Sequence, residues 1–253
     1  MSFSVIIPAR YASSRLPAKA LADIAGKPMI WYVYQNALQS GAARVVIATD
    51  DARIADVAHA FGATVCMTAN THQSGTDRVA EAARLLGLVG EDVLVNVQGD
   101  EPLLPASLIR QVAETLINQP IANMATACES ITEWASVFNP NIVKVVLDKQ
   151  NFALYFSRAP IPFWRDGFPL NSAVPITAHY YRHIGIYAYR AAYLQDYTQL
   201  PVCALEQVEA LEQLRVLFNG GKICVTQALC SIGIGVDTEE DLQKVRLFFT
   251  NRK

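Results

Sequence analysis

Cysteine is scarce and scattered in this chain of 253 residues. Cys66, Cys128, Cys203, Cys224 and Cys230 form no CxxC pair, their number is odd, and several stand in apolar strand-like runs. That argues against a disulfide framework or a zinc site and for buried, reduced thiols. A surplus of one charge is also missing. Lys and Arg number 21 and Asp and Glu 23, a net charge of −2, so no broad basic face is expected for nucleic acid or an anionic membrane. No apolar run reaches the roughly 18 residues of a membrane span. The opening MSFSVIIPAR lacks a basic segment ahead of its short apolar run, so no signal peptide is expected. Repeats, low-complexity tracts and flexible linkers are absent, as are the GxSxG, HExxH, GxGxxG and GxxxxGK[ST] signatures, which removes support for hydrolase, dinucleotide-fold and P-loop readings. What is present is apolar: 52% hydrophobic residues against 17% charged. The expectation is a soluble cytoplasmic protein, large enough to bury a core without metal or disulfide staples.

The first half alternates two periodicities. Short apolar runs at 4–9, 44–50, 63–68, 92–100 and 124–128 read as strands. Helical patterns fill 29–40, 51–61, 76–86 and 106–118, with Pro28 ahead of the first and Gly41 and Gly62 behind the first two. Repeated βα units with fully apolar strands predict a parallel sheet covered on both faces. The second half changes character. Residues 143–157 predict two antiparallel strands around a turn at 148–151, followed by a Pro-rich aromatic loop at 160–175 and an alternating strand at 180–190. An amphipathic helix is predicted over 206–218, a strand over 222–228 and a helix over 238–249. Residues 152–197 hold 12 of the 23 Phe, Tyr and Trp, a density that suggests a substrate wall or a subunit interface. The expected architecture is α/β, one domain over 1–253, with a mostly parallel sheet flanked by helices and a smaller antiparallel insertion at about 140–200.

In open α/β sheets ligands bind beyond the carboxyl ends of the strands, so the residues that follow each strand come first. After the first strand stand Arg10, Arg15, Lys19 and Lys27, against a single acid, Asp23. Like charges crowded on one loop repel unless an anion neutralises them. Two readings fit, a solvated basic loop or a polyphosphate cradle. After the fourth strand comes Gln98-Gly99-Asp100-Glu101-Pro102. Gly99 permits close backbone approach, and Asp100 is placed either to favour a turn or to hold Mg²⁺, a hard cation that takes oxygen ligands. Near the C-terminus Thr238 and Asp241 fit a capping box, which leaves Asp237, just ahead of it, as a metal candidate. Ser74 and Asp77 fit a second box, and Arg78 stands on a first helical turn, where the dipole disfavours a cation, which leaves a ligand-facing purpose open. His59 reads as a surface residue, His72 in a polar loop is uninformative, and His179 and His183 straddle the aromatic strand. His183, beside Arg182 on the aromatic strand, fits either a packed ring or a substrate contact.

Taken together, these blocks resemble a known family. Ile6-Ile7-Pro8-Ala9-Arg10-Tyr11-Ala12-Ser13-Ser14-Arg15-Leu16-Pro17, Lys19 and Gly26-Lys27-Pro28-Met29-Ile30 strongly resemble the opening of the 3-deoxy-manno-octulosonate (Kdo) cytidylyltransferases. Ser74-Gly75-Thr76-Asp77-Arg78, Asn96-Val97-Gln98-Gly99-Asp100-Glu101-Pro102, Phe156-Ser157-Arg158-Ala159-Pro160-Ile161-Pro162, His183-Ile184-Gly185-Ile186-Tyr187, Leu211-Glu212-Gln213-Leu214-Arg215 and Val236-Asp237-Thr238 are similar to its later blocks, in order along nearly the whole chain. One departure is Ala18 and Ala20, where the family more often reads Gly-Lys-Pro around the lysine.

The resemblance implies a Rossmann-like nucleotidyltransferase sheet. It also implies a reaction, CTP plus Kdo giving CMP-Kdo and pyrophosphate with Mg²⁺, which activates Kdo for lipopolysaccharide synthesis. Such transfer needs charge neutralisation and positioning more than covalent catalysis. By that likeness Lys19, Arg15 and Asp100 are the catalytic residues. The nucleotide lies along Ala9, Arg10, Arg15, Lys19, Ser74, Arg78 and Asp100, and Asp100 and Asp237 hold Mg²⁺. Gln98, Arg158, His183, Tyr187, Glu212 and Gln213 form the sugar-acid site, with Arg158 suited to the carboxylate. The expected partners are the two small substrates and a second copy of the chain meeting at the aromatic insertion, with no nucleic acid and no membrane. The rivals are a cytidylyltransferase for 8-amino-Kdo or sialic acid, a glycosyltransferase (which would want a DxD where this chain reads Gln98-Gly99-Asp100), and a regulator that binds CTP without consuming it.

Overall fold

A computed structural model describes residues 2–12, 16–165, 176 and 180–250. In chain order the elements are β1 (Phe3–Ala9), one 3-10 turn (Lys19–Leu21), β2 (Asp23–Ile24), β3 (Lys27–Pro28), α1 (Met29–Gln39), β4 (Arg44–Thr49), α2 (Ala52–Ala60) and β5 (Thr64–Met67). They continue with α3 (Gly75–Leu85), β6 (Val93–Asn96), α4 (Ala106–Ile117), β7 (Met124–Ser130), α5 (Trp134–Phe138), β8 (Lys144–Leu147) and β9 (Ala153–Ser157). The last are β10 (Tyr181–Arg190), α6 (Ala191–Gln199), α7 (Ala204–Glu209), α8 (Leu214–Phe218), β11 (Ile223–Gln227) and α9 (Glu239–Thr250).

The main sheet runs in the order β11-β7-β10-β6-β1-β4-β5. β1 pairs in parallel with β4 and β6, β4 with β5, and β7 with β11. β10 is antiparallel to both neighbours, so every other strand on this path points the same way. β8 and β9 form a hairpin, joined to the sheet where β8 meets Tyr181 and Arg182 of β10. β10, expected as part of the antiparallel segment, thus lies inside the main sheet between β6 and β7. All seven residues of β1 are buried. One face packs Val5, Ile7 and Ala9 with Ile30, Val33, Leu108 and Val112. The other packs Ile6, Val46 and Leu94 with Val79, Ala80, Ala83 and Leu194. This two-sided burial is why these strands read as unbroken apolar runs.

Local chemistry sets the ends of the helices. α1 buries Met29, Ile30, Val33, Tyr34 and Ala37, a helical stripe. Asp51 caps α2, its side chain accepting from the Arg53 amide at 3.0 Å. Both expected boxes form: Ser74 Oγ accepts from the Asp77 amide at 3.1 Å while the Asp77 carboxylate accepts from the Ser74 amide at 3.2 Å. Thr238 and Asp241 do the same at the start of α9.

The single helix expected over 206–218 is instead two, α7 and α8, broken at Ala210 in the left-handed conformation at φ 50°. The cause lies in a partner that periodicity along one segment does not reveal. Arg158 Nε takes the Glu209 carbonyl at 2.7 Å and an Nη takes that of Ala210 at 3.4 Å. The Glu209 carboxylate is held by the Ser157 hydroxyl at 2.5 Å and the Arg158 amide at 2.9 Å. Two carbonyls that a continuing helix would pair are therefore taken by a guanidinium. α5 and α6 were not expected from the sequence, and β6 ends at Asn96, short of the strand expected to reach residue 100.

Candidate active site

The carboxyl ends of β1 and β6 and the start of α3 open on one cavity of about 220 Å³. It is lined by Pro8, Ala9 and Arg10 after β1, Lys19 and Ala20, His72, Ser74, Gly75 and Arg78 at the start of α3, Gln98, Gly99 and Asp100 after β6, and Asp237 ahead of α9. The polar side chains therefore come from five separate places in the chain.

Lys19 stands at the centre of the charge. Its Nζ lies 2.5 Å from Asp100 Oδ2 and 3.3 Å from Asp237 Oδ1, and its side chain is only 14% exposed. The two carboxylates reach this point from residues 137 positions apart, held by a hydrogen bond from the Val236 amide to the Asp100 carbonyl at 2.9 Å. Two oxygen donors facing one cation suit a hard divalent metal, which commonly takes one or two carboxylates and completes its shell from substrate phosphates and water. Among the described residues no cluster of three or more His, Cys, Asp or Glu could hold a metal. Beside the pair, Glu101 is pushed up to about 7, by burial first and then by the neighbouring Asp100 charge.

Of the four loop cations, Arg10 and Lys19 line the cavity. Lys27 instead sits 5.7 Å over the Trp31 ring, and Arg15 lies outside the described residues. The loop is closed by the Ala18 amide donating to the Tyr11 carbonyl at 3.1 Å. Arg53, itself paired with Asp51, stacks on the Tyr11 ring at 3.3 Å. Ala18 takes φ 55°, a left-handed conformation that favours glycine. The departure noted in the sequence therefore falls on a position where a Cβ is strained. Ala18→Gly should raise stability by about 0.5 kcal/mol, the relief of strain less the backbone entropy of glycine; an unchanged or lower Tm in thermal melts would show that Ala18 carries no strain.

Arg78 is 4% exposed and its charge is taken. It meets Asp50 at 3.2 Å after β4 and donates to Thr68 Oγ1 at 2.5 Å after β5. The unfavourable first-turn cation is thus compensated by the strand ends beside it, and it forms one wall of the cavity. Ser74 gives its side chain to the capping box, yet it and Gly75 reach the cavity. His72, which carried no signal in the sequence, lines the same space and is held by Glu81 at 2.6 Å. That hydrogen bond, with one from the Ala69 amide, holds the Glu81 carboxyl below its ordinary value. The pairing spans a loop and a helix, so spacing alone could not have found it.

The residues expected around the sugar acid extend from this cavity. Gln98 lines it directly. Tyr187 pairs in register with Asn96, the last residue of β6, so β10 from Ile186 back to Tyr181 runs beyond the carboxyl end of that strand. His183 and Tyr187 stand there with ring centroids 5.5 Å apart. His183 is pushed down to about 3 by burial and, secondarily, by Arg182, so the ring is neutral. Glu212 and Gln213 arrive on the link between α7 and α8. Glu212 accepts from Tyr197 Oη at 3.1 Å and interacts with Thr76 of the first α3 turn, which ties this region to the cavity wall. Burial raises its carboxyl, opposed by those two hydrogen bonds and by Arg215. The Asn96 amide and Gln213 Nε2 are buried without a partner among the described residues, a costly arrangement unless a ligand or water supplies one.

Arg158 stands differently from its expected role. Its guanidinium donates to the carbonyls of Pro140 at 3.0 Å, Glu209 at 2.7 Å and Ala210 at 3.4 Å, and it does not line the cavity. In this arrangement it braces the segment that carries Glu212 and Gln213. The three carbonyls are met by separate nitrogens of a planar fork, which the single ammonium of lysine does not reproduce, so Arg158→Lys should cost about 1–3 kcal/mol of stability and raise the sugar-acid KM with little change for CTP. An unchanged Tm beside a raised sugar KM would place the guanidinium on the substrate instead.

Comparisons with known proteins match along nearly the whole chain. A cytidylyltransferase family model matches residues 4–223. The chain is 57% identical over 252 residues to 3-deoxy-manno-octulosonate cytidylyltransferase 1 of Hydrogenovibrio crunogenus, covering 99% of this chain and 97% of that one. It is 53% identical over 249 residues to 3-deoxy-manno-octulosonate cytidylyltransferase of Coxiella burnetii, covering 98% and 100%. A solved structure of CMP:2-keto-3-deoxy-manno-octonic acid synthetase complexed with CTP superposes with a TM-score of 0.90 at 43% identity, covering 100% of both chains.

Proposed function

The chain belongs to the 3-deoxy-manno-octulosonate cytidylyltransferase family, and from that premise we propose that it transfers CMP from CTP to the anomeric hydroxyl of Kdo, giving CMP-Kdo and pyrophosphate. The observation that carries the reading is Lys19 drawn between Asp100 and Asp237 in a cavity at the carboxyl edge of a parallel sheet.

In this reading Arg10 and Lys19 neutralise the triphosphate from one side, and the start of α3 presents backbone N–H groups and a positive dipole end from another. Lys19 meets the charge that develops between the α-phosphate and the departing pyrophosphate. Gly99 lets the backbone come close: a Cβ there would stand 3.0 Å from the Pro8 carbonyl. Arg15 joins the same charge balance. Asp100 and Asp237 would hold Mg²⁺, which when bound polarises the phosphates and acidifies the attacking hydroxyl. Gln98, His183, Tyr187, Glu212 and Gln213 orient the sugar acid, with Arg158 bracing the last two, so that its anomeric oxygen lies in line with the bond to be broken.

The product activates Kdo for lipopolysaccharide synthesis in the cytoplasm. The chain works as a homodimer that meets at the aromatic-rich segment of about 140–200, where Leu154 of β9 is exposed; Val208 of α7, outside that segment, is exposed as well. No helix among the described residues is long and apolar enough to cross a membrane. Comparing kcat/KM for Kdo, 8-amino-Kdo and sialic acid with CTP tests the substrate. Kdo should be preferred; a higher value with either rival would reassign the sugar.

A further inference from the structure

Thr126 lies on β7, fully buried, beneath an irregularity in β10. Between Ile184 and Tyr187 β10 advances three residues while β7 advances one, from Ala127 to Thr126. Three groups surround the Thr126 hydroxyl. The Ile186 carbonyl is 2.8 Å from Oγ1, the Ile184 carbonyl 3.1 Å and His183 Nε2 2.9 Å. A hydroxyl has one hydrogen and two lone pairs. The carbonyls can only accept, so the hydrogen belongs to one of them. Were it given to His183 instead, two carbonyl oxygens would face a bare oxygen inside the core. Nε2 must therefore be the donor. The ring is neutral, as its burial requires, so Nδ1 carries no proton. No hydrogen bond to Nδ1 occurs among the described residues.

The geometry points to Thr126 as a positioning residue that fixes His183 in its Nε2–H tautomer, so that Nδ1 is offered as an acceptor to a hydroxyl of the sugar acid. This deepens the reading of His183 as a sugar-acid contact and rests on it. A histidine that accepts selects a substrate group carrying a hydrogen at that place, and it would reject an analogue with an ether or a bare carbonyl there. Phe156, edge-on to the ring at 4.9 Å, and Tyr187 keep the imidazole plane from turning away.

The test is the tautomer itself, read on the whole protein without substrates. In ¹⁵N-histidine-labelled protein, long-range ¹H–¹⁵N correlation separates the two neutral forms of each of the four histidines, and His183→Gln assigns the signal. Wild type and Thr126→Ser should show the Nε2–H form. Thr126→Val, nearly the same shape without the hydroxyl, should lose that preference and raise the sugar KM roughly tenfold, one hydrogen bond's worth, with the CTP KM unchanged. A wild-type Nδ1–H signal overturns the inference, and so does a Thr126→Val enzyme with an unaltered sugar KM. Should Thr126→Val fail to fold, the wild-type and Thr126→Ser spectra still decide the tautomer. Failure of the functional reading looks different: wild type would turn over no Kdo at all, whatever the tautomer.

Discussion

Asp100→Asn should cut turnover by two or more decades while the protein stays folded. Asn keeps the shape and removes the charge. The backbone at this position is fixed independently of the carboxylate, since the Asp100 carbonyl accepts from the Val236 amide and Gly99 packs on the Pro8 backbone. The side chain itself lies at the cavity wall, outside β6. The loss falls on the site: one of the two carboxylates that face Lys19 disappears, and in the proposed reading it is also one of the two that would hold Mg²⁺. A deficit of about 3 kcal/mol or more in the barrier corresponds to those decades. Turnover at saturating Mg²⁺ and thermal melts measure it together. A near-wild-type rate at saturating Mg²⁺ would remove Asp100 from the metal.

Lys19→Ala should act on kcat more than on the KM for CTP, by roughly 10²–10³-fold, the usual cost of losing one donor that meets transition-state charge. The ammonium stands beside Asp100 and Asp237 at the cavity wall, where in the proposed reading it meets the charge that develops on the departing pyrophosphate. In the proposed reading CTP binding is shared with Arg10 and the α3 amides, so the ground state loses less than the transition state. Steady-state kinetics at varied CTP separate the two. A raised KM with kcat unchanged would make Lys19 a ground-state binder and its assigned role wrong.

Much of this was legible in the sequence because the signals were local. The βα alternation, both capping boxes and the order of apolar strands depend on residues a few positions apart, and they formed within one to four residues of expectation. Lys19, Asp100 and Asp237 stand at strand ends or ahead of a helix, where open sheets put ligands, and they meet at one point. What escaped reading depends on partners far along the chain. The break at Ala210 is enforced by Arg158, 52 residues away, and His72 acquires its place through Glu81. Arg158 itself was read for its fork geometry, and the fork is there, but it closes on main-chain carbonyls. The place of β10 in the middle of the sheet was likewise beyond periodicity, which sees a strand and not its neighbours.

Transfer of CMP with loss of pyrophosphate is tested most directly by quantifying both products in one reaction. Purified protein, CTP, Kdo and Mg²⁺ should yield pyrophosphate and CMP-Kdo in equal amounts, with neither formed when Kdo is left out. CTP bound but not consumed, or nucleotide released without pyrophosphate, would rule out the transfer.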